Sequence, residues 1–434
     1  MLVTVMYQMP TSSEALNNCE VTVLSKKFKR LSWLDQFRDD AASSDIPESV
    51  VRANSSALDD KLYELWGLGR DMLLAWTPYE TSMDLVVVPH HCLSGINSGK
   101  PNASTLSEHD VAVILTGTKL VSASRLHEIA ALFDTCPVRI ELPFTPGKGL
   151  DFPTMDALVK RYGIALVEER AVALFDAVGF SLLSPFEQMT QLNSLAYSLN
   201  AATSKLMQKD MHIHFARTTT GDGFYIWNRK EDTLANLTLY HFMHLALADN
   251  SIARSKAKAL TVPYLRACFH IGAHYEFHQA EGLSPTAFSY IVGDVTIVLA
   301  RMSDQAMPGQ VLIGNFNVAA GSNTDSQTQY LDSINFIKQA QSTIEHLEGI
   351  ELAGDEVESI LCYLTGPRYT DGTFGISRFR VRDKHGMEHL VFNAKINIYR
   401  RNEPPIFLGL QDSCLDAFRA KAKEEVIRFS PGEI

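Results

Sequence analysis

Two aspartates at predicted turns are the residues of this sequence best suited to chemistry. Asp176 directly follows a strand-like apolar run at residues 170–175, and Asp222 lies in a tight turn between Gly221 and Gly223. If those strands are neighbours in one sheet, both carboxylates face one point, and a divalent cation relieves their repulsion. Oxygen ligands favour Mg²⁺ or Mn²⁺. The competing interpretation is that each aspartate only stabilises its own turn.

A short segment after the first aspartate has the features of an anion-binding loop. Gly179, Phe180 and Ser181 lead towards a predicted helix, which Ser184 is expected to cap and Glu187 to complete as a capping box. Backbone N–H groups at the start of a helix attract anions such as a triphosphate. The sequence therefore predicts a phosphate-binding segment beside the carboxylates.

The predicted elements around these residues follow the order strand, helix, strand, strand, helix, strand. This order is the split βαβ arrangement of ferredoxin-like folds, so we expect an α+β core. A further strand, helix and strand are predicted at residues 288–292, 294–302 and 311–313. The core strands are predicted at residues 170–175, 211–217, 224–227 and 264–271, and the core helices after Ser184 and at residues 234–248.

Regions of different pattern flank this core. Residues 1–160 are predicted to form an α/β domain, with helices at 57–66 and 125–133 and strands at 111–115 and 138–142. The Pro- and Gly-rich stretch at 142–153 is typical of a boundary. The core is expected at residues 165–325, and residues 326–434 are expected to form a β-rich, sensor-like extension. In that extension we predict a helix at 330–347, facing strands at 376–382 and 389–399, and a helical tail at 414–427.

Composition narrows the functional classes. The 434 residues carry 39 Lys and Arg against 50 Asp and Glu, a net charge of −11, which argues against a nucleic-acid partner. No apolar stretch has the length of a membrane span, and the N-terminus lacks the pattern of a secretory signal, so we expect a cytoplasmic protein without a membrane partner. Six scattered cysteines without a CxxC pair favour free thiols.

Four stretches, in order, resemble the motifs of class III nucleotidyl cyclases, the adenylate and guanylate cyclase family. Residues 173–184 (ALFDAVGFSLLS) are similar to the first-strand motif, and residues 219–227 (TTGDGFYIW) to the metal-binding hairpin. Residues 270–276 (HIGAHYE) resemble the Arg-Ile-Gly-Ile-His strand, and residues 290–314 follow the later Trp-Gly-Asp, Ala-Ser-Arg and Pro-Gly-Gln motifs. The resemblance covers residues 165–325 only.

The resemblance implies a role for several residues. Asp176 and Asp222 match the two metal-binding aspartates, and the carbonyl of Ala177 matches the backbone ligand between them, for two Mg²⁺ or Mn²⁺ ions per site. Arg301 matches the arginine that stabilises the transition state. Because family sites form between two cyclase domains, one domain per chain implies a homodimer that binds a nucleoside triphosphate.

This sequence departs from the family pattern at three positions. Ile297 replaces the transition-state asparagine and cannot form a hydrogen bond to ribose, and the neighbouring Thr296 faces another side of the predicted helix. Thr218 and Tyr290 stand where purine-selecting cyclases carry their base-reading residues, so the base pocket is expected to differ. The bacterial pyrimidine cyclases of antiphage signalling, which lack the purine pattern, are similar in this respect.

The leading hypothesis is therefore that the protein converts CTP or UTP to a 3′,5′-cyclic monophosphate and pyrophosphate, as a second-messenger synthase in antiphage defence. A downstream cyclic-nucleotide effector would then be a partner. An adenylate or guanylate cyclase is one alternative, and a catalytically degenerate, nucleotide-binding regulatory dimer is another. In the extension, Arg378, Arg380 and Arg382 alternate along a strand. They favour a charged edge strand over a phosphate site.

Other ligand-like patterns are weaker. Residues 94–101 (SGINSGKP) resemble a phosphate loop but are one residue short and lack its Ser or Thr. Histidine spacings suited to zinc also occur, but structural histidines are the favoured interpretation. These spacings involve His90, His91 and Cys92; His241 and His244; and His274, Glu276 and His278.

Overall fold

The computed structural model describes residues 46–93, 107–209, 211, 215–280, 287–319, 330–371 and 373–429. These residues form two compact units. The first holds the described residues up to Leu166 and those between Glu276 and Tyr290. The second holds the described residues between Val167 and Tyr275 and those from Ile291 onward. The phosphate-loop-like residues 94–101 and Cys19 lie outside the described residues; the other five cysteines are free thiols, as predicted.

The first unit is built around a small antiparallel sheet whose strands follow one another in chain order. Two clusters of buried side chains cover its two faces. Its elements are α1 (Glu48–Trp66), β1 (Asp71–Tyr79), β2 (Ser82–Pro89), α2 (Glu108–Leu115), α3 (Ala123–Leu132), β3 (Val138–Glu141), α4 (Phe152–Arg161) and the start of β4 (Ile164–Ala177). Helices α1 and α4 lie on one face of the sheet, and α2 and α3 lie on the other.

Two sequence predictions in this unit need correction. The strand predicted at 111–115 is wrong, because a capping box between Ser107 and Asp110 begins α2 just before this apolar run. The Pro- and Gly-rich stretch 142–153 is not a boundary but lies inside the unit, where Asp151 caps α4. The helices expected near 57–66 and 125–133 and the strand near 138–142 are confirmed by α1, α3 and β3.

The second unit holds most of a large mixed sheet. In chain order its helices are α5 (Pro185–Met207), α6 (Thr233–Lys256), α7 (Asp294–Gln305), α8 (Ser333–Thr343) and α9 (Asp416–Arg419). The strands are the rest of β4, then β5 (Phe215–Thr219), β6 (Gly223–Asn228), β7 (Leu265–Ala280), β8 (Ala287–Val292), β9 (Val311–Gly314), β10 (Asn317–Ala319), β11 (Tyr330–Asp332), β12 (Glu351–Leu352), β13 (Asp355–Leu364), β14 (Gly375–Arg382), β15 (Glu388–Arg400), β16 (Ile406–Leu408) and β17 (Lys423–Arg428). Strands β7 and β8 extend into the segment that groups with the first unit.

The core of this unit has the predicted ferredoxin-like arrangement. In chain order it runs β4, α5, β5, β6, α6, β7, and the sheet order is β7, β4, β6, β5. The capping box that begins α5 is also confirmed, since Ser184 Oγ accepts from the N–H of Glu187 and the Glu187 carboxylate accepts from the N–H of Ser184. The expected α+β class is therefore correct, with strands of the core and of the C-terminal extension joined in one sheet.

Side chains of β4 alternate between two hydrophobic clusters on opposite faces of the sheet. Ala173 and Phe175 belong to the larger cluster, which includes side chains of α5, α6 and α8. Val172 and Leu174 belong to the cluster that contains the apolar face of α7. Because alternate residues share a face, Asp176 is on the α7 side of the sheet.

The C-terminal residues continue this sheet rather than forming a separate region. Strand β15 pairs with β9, so the described residues from Tyr330 onward group with the core in one compact unit. The helix predicted at 414–427 is wrong beyond α9, because β17 pairs with β14 and Arg378 donates to Glu425 at 2.7 Å. Strand β14 is not an edge strand, since it lies between β15 and β17. None of the helices in the described part of the chain combines the length and the apolar character that a membrane span requires.

Candidate functional site

The structure brings the two predicted aspartates to one end of neighbouring strands. Asp176 on β4 lies opposite Gly223 on β6, and the N–H of Ala177 donates to the carbonyl oxygen of Asp222 at 3.1 Å. The approach requires glycine at position 223, because a Cβ there would lie 1.9 Å from the carbonyl oxygen of Phe175. The backbone therefore holds Asp222 next to the end of β4.

The turn that carries Asp222 is stabilised by its own polar groups. The Thr220 N–H donates to the Gly223 carbonyl at 3.0 Å, and the Thr220 hydroxyl donates to Asp222 Oδ1 at 3.1 Å. Gly221 has a φ of 102°, which favours glycine. Asp222 therefore stabilises its own turn, as the interpretation without a metal site predicts. Its carboxylate is also close enough to Asp176 for its charge to raise the pKa of that residue.

Arg266 is a third member of this cluster that the sequence analysis did not identify. Its Nε contacts Asp176 Oδ2, and its Nη1 donates to the Ala306 carbonyl at 3.3 Å. Arg266 alternates with Leu265 and Ala267, which face the larger cluster, and therefore shares the α7 side with Asp176. A charged residue in the otherwise apolar start of β7 was the available signal.

The electrostatics of the pair depend on burial. The Asp176 side chain is 9% exposed, and this burial raises its pKa. Arg266 lowers the pKa, whereas the charge of Asp222 raises it further, and the net shift is upward. The upward shift thus comes first from burial and next from the second carboxylate, and a bound cation would offset both effects.

The donor set is compatible with a hard divalent cation. It consists of the two carboxylates and the backbone at Ala177, and oxygen donors of this kind suit Mg²⁺ or Mn²⁺. No cluster of three or more His, Cys, Asp or Glu suited to a metal occurs in the described parts of the chain. A metal here would need further oxygen ligands from its substrate or water, and it would compete with Arg266 for Asp176.

The predicted phosphate-binding residues form a short turn. Gly179, with a φ of 70°, precedes a 3₁₀ turn at Phe180–Leu182, and Ser181 is exposed within it. At the following helix, the Ser184 hydroxyl accepts from the Glu187 N–H, Pro185 has no N–H to offer, and Glu187 adds a negative charge. These features make the start of α5 less suited to an anion than the turn at 179–181.

The predicted transition-state residues lie on α7. Ile297 is 52% exposed, and Thr296 Oγ1 donates to the carbonyl of Gly293 at 2.9 Å within the first turn, so that hydroxyl is already engaged. Arg301 is one turn further along, and its Nε lies 3.2 Å from Asp383 Oδ2 in the turn between β14 and β15. The C-terminal extension thus supplies a counter-charge to Arg301.

Asp383 is held rigidly while it contacts Arg301. Its Oδ1 accepts from the N–H groups of His385 and Met387 at 2.8 and 3.0 Å. Burial on its own would raise the pKa of Asp383, but these N–H groups, His389 and Arg301 together hold the pKa below its ordinary value. Asp383 is therefore a charged carboxylate at neutral pH.

The predicted base-pocket residues lie in different units. Thr218, on β5, is half-buried and lies opposite Tyr225, whose hydroxyl donates to the Thr296 carbonyl at 3.1 Å. Tyr290 belongs to the segment Glu276–Tyr290 of the first unit, where its ring is 5.7 Å from that of Phe277 and nearly parallel to it. Thr218 and Ile297 are in the second unit.

Two of the histidines with zinc-like spacing are neutral core residues. Burial lowers the pKa of His241 to about 4 and that of His244 well below its ordinary value. His241 Nε2 is 3.0 Å from the Thr343 hydroxyl, and the His244 ring packs against Tyr240. These contacts favour the structural interpretation.

The three arginines of β14 are paired with carboxylates. Arg378 donates to Glu425, and both Arg380 and Arg382 donate to Glu388, each of the latter at 2.9 Å. A phosphate would have to displace these glutamates.

Comparisons with solved structures find nucleotidyl cyclase domains at low similarity. The guanylate cyclase domain of RhGC from Catenaria anguillulae in complex with GTP is 11% identical, with a TM-score of 0.32, over 55% of this chain and 99% of that domain. The adenylyl cyclase CyaB from P. aeruginosa is 11% identical, with a TM-score of 0.29, over 56% of this chain and 98% of that one. Similarity at this level does not decide function. No family model matches the sequence, and neither does any curated protein.

Proposed function

We propose that this protein is a nucleotidyl cyclase that converts a nucleoside triphosphate to its 3′,5′-cyclic monophosphate and pyrophosphate. The observation that carries the proposal is the juxtaposition of Asp176 and Asp222 at one end of β4 and β6. The ferredoxin-like strand order and the four cyclase-like motifs support it.

Different residues of the chain would have different roles in such a reaction. Asp176 and Asp222 would hold the divalent cations, with the Ala177 carbonyl between them, and these cations supply charge neutralisation at the triphosphate when bound. The substrate 3′-oxygen forms a bond to the α-phosphorus, the bond to the bridging oxygen breaks, and pyrophosphate leaves while the proton passes to solvent. Arg301 of the partner subunit would donate hydrogen bonds to the α-phosphate oxygens, on which negative charge develops in the transition state.

A pyrimidine product is the finer part of the proposal. Thr218 has a hydroxyl but no charge, and Tyr290 is a large ring, so neither reproduces the purine-reading pattern. We propose CTP or UTP as substrate, and a role in antiphage signalling through a cyclic-nucleotide effector then depends on that product. An adenylate or guanylate cyclase is the alternative within the same class.

Product analysis tests the proposal directly. The full chain is incubated with each of ATP, GTP, CTP and UTP in the presence of Mn²⁺, and cyclic nucleotide and pyrophosphate are measured by mass spectrometry and a coupled assay. We expect product from CTP or UTP, loss of product in Asp222→Ala, and full activity in Asp416→Ala, which removes an exposed carboxylate elsewhere. Cyclic AMP as the sole product would refute the pyrimidine assignment but not the cyclase.

A regulatory, catalytically degenerate dimer is the second candidate. The observation in its favour is that Arg266 and Arg301 both contact carboxylates of the same chain, while apolar Ile297 replaces the family asparagine. This candidate predicts nucleotide binding, seen as a thermal shift, with no product from any of the four triphosphates. Metal-dependent stabilisation by nucleotide that is unchanged in Asp222→Ala would exclude the carboxylate pair as the metal site in either case.

A further inference from the structure

A cavity of about 490 Å³ lies in the second unit, on the face of the sheet opposite Asp176. It is bordered by the end of α6, the segment that leads into β7, the start of β9 and the strip 407–410 at β16. This volume is within the range of roughly 300–1,000 Å³ that is usual for small-molecule sites. Strand β16 belongs to the C-terminal extension, so the cavity depends on a part of the chain outside the cyclase-like core.

The wall formed by the extension is fixed by buried hydrogen bonds. Gln310 is fully buried, and its Nε2 donates to Asn393 Oδ1 at 3.0 Å. Asn393 in turn donates to the Leu410 carbonyl at 2.9 Å, and Lys395 Nζ donates to the Gly409 carbonyl at 3.1 Å. These hydrogen bonds join Gln310, just before β9, to β15 and the strip 407–410, and so fix this side of the cavity.

Two groups on one side of α6 are prominent polar features of a lining in which polar and apolar surface are about equal. Asn250 is 4% exposed, and its Nδ2 has no hydrogen-bond partner among the described residues. Arg254 is one helical turn further along, and its guanidinium carbon lies 3.9 Å from the centre of the Tyr264 ring. Among the described residues that line the cavity, Arg254 is the only one with a charged side chain.

A buried amide donor without a partner destabilises the folded protein, so its presence calls for an acceptor from outside the chain. The cation of Arg254 lies one turn away on the same side of the helix, and side chains such as Leu247, Leu260 and Val262 provide the apolar part of the lining. We propose that this cavity binds a small aromatic molecule that carries an anionic acceptor group. The acceptor lies between Asn250 and Arg254, and the rings lie against the apolar wall.

The site is separate from the carboxylate pair but connected to it. Tyr264 lines the cavity, and its carbonyl accepts from the N–H of Val178 at 2.8 Å, two residues beyond Asp176. Arg266, which contacts Asp176, follows Tyr264 by two residues. A ligand that moves Tyr264 would thus also shift Val178 and Arg266, the two residues that link it to Asp176. Binding itself does not depend on the cyclase proposal.

A pair of fluorescent probes tests the proposal. The anionic probe 1-anilinonaphthalene-8-sulfonate and its neutral analogue N-phenyl-1-naphthylamine share their rings and differ in the sulfonate. We expect both to bind the full chain saturably with one site per chain. Arg254→Met is expected to weaken the anionic probe about tenfold or more and to leave the neutral probe unchanged, because a hydrogen bond to a charged group is lost. Lys256→Met, an exposed charge removed from the same helix end, should change neither.

Two further variants separate a ligand site from a merely structural one. Ser251→Phe places a ring in the cavity and should abolish binding of both probes. Asn250→Leu should weaken only the anionic probe, and its melting temperature should be equal to or higher than that of the parent, since the unpaired donor is gone. Absence of saturable binding, or an affinity for the anionic probe that none of the Arg254, Ser251 and Asn250 variants changes, would overturn the proposal whether or not the chain is a cyclase.

Discussion

The contact between Arg266 and Asp176 leads to a measurable prediction about metal binding. Arg266 is the positive charge next to the carboxylate pair, and its side chain is 26% exposed against 9% for Asp176. A cation that binds Asp176 must displace this guanidinium or share the carboxylate with it. Replacing Arg266 by Met removes the competing charge and keeps much of the side-chain volume.

The magnitude follows from the contact. A hydrogen bond between charged groups contributes about 1.5–3 kcal/mol, and partial exposure of Arg266 puts it near the lower half of that range, at about 2 kcal/mol. Without metal, Arg266→Met should therefore lower the free energy of unfolding by about 2 kcal/mol. With metal bound, Arg266 no longer contributes, so the variant should bind the cation more tightly by the same amount, which is roughly 30-fold.

Thermal and chemical unfolding at neutral pH, with and without Mn²⁺, measure both effects. The matched control is Arg217→Met, which removes a charge from β5, where Arg217 donates to Asn200 and not to a carboxylate. We expect the stability deficit of Arg266→Met to close as Mn²⁺ is added. We also expect it to shrink as the pH falls towards 3.8, because the pKa of Asp176 is raised and protonation removes the unpaired charge.

Two results would refute this reasoning. If Arg266→Met binds Mn²⁺ more weakly than the parent, Arg266 supports the metal site instead of competing for it. If Mn²⁺ stabilises neither protein at any concentration, the carboxylate pair is not a metal site, and the cyclase proposal fails with it.

Three further predictions concern other parts of the chain. In the proposed cyclase reaction, Asp383→Asn should lower kcat about tenfold with little change in KM, because Arg301 loses the carboxylate that contacts it. Partial recovery in Asp383→Glu would support a positioning role, and a faster enzyme would indicate a restraining contact instead. Gly223→Ala should destabilise the chain by more than about 3 kcal/mol in urea unfolding, because the added Cβ meets the backbone of β4. The control Gly386→Ala, at a φ of 83° with open space around the residue, should cost only about 1 kcal/mol. Equal losses of stability would contradict the close approach of Gly223 to β4. Burial lowers the pKa of His241 to about 4 from an ordinary 6.5, so the stability that neutral His241 contributes is present above pH 6.5 and is lost as the pH falls from 6.5 to about 4. His241→Gln should reduce that loss of stability by about 3 kcal/mol. An unchanged dependence of stability on pH would show that His241 is not buried in its neutral form.

Local sequence features predicted the core of the second unit well. The capping box of Ser184 and Glu187 marked the start of α5, and the Gly221 to Gly223 turn marked the hairpin that carries Asp222. Both features act within a few residues, so neighbouring residue types are enough to define them. The order of the elements then allowed the ferredoxin-like sheet to be predicted, because few arrangements accommodate a split βαβ unit.

Short apolar runs were less informative. The apolar run at residues 111–115 is compatible with a strand or a helix, and the capping box of Ser107 and Asp110 starts a helix there. Strands β1 and β2 carry apolar residues on both faces, so they lack the alternation that identifies a half-buried strand. Strand β17 forms because β14 offers it a partner 47 residues away, as between Arg378 and Glu425.

The sequence by itself determined the chemistry available to this protein: two carboxylates at turns, an arginine on a following helix, and a net charge that argues against a nucleic-acid partner. Tertiary structure alone decided which charges meet. Arg266 reaches Asp176 across 90 residues, and Asp383 reaches Arg301 from the C-terminal extension. Contacts of this kind depend on the register and faces of distant strands, and electrostatic interactions are strong only at short range in a partly buried site. Local sequence patterns could therefore name the reactive groups but not their partners.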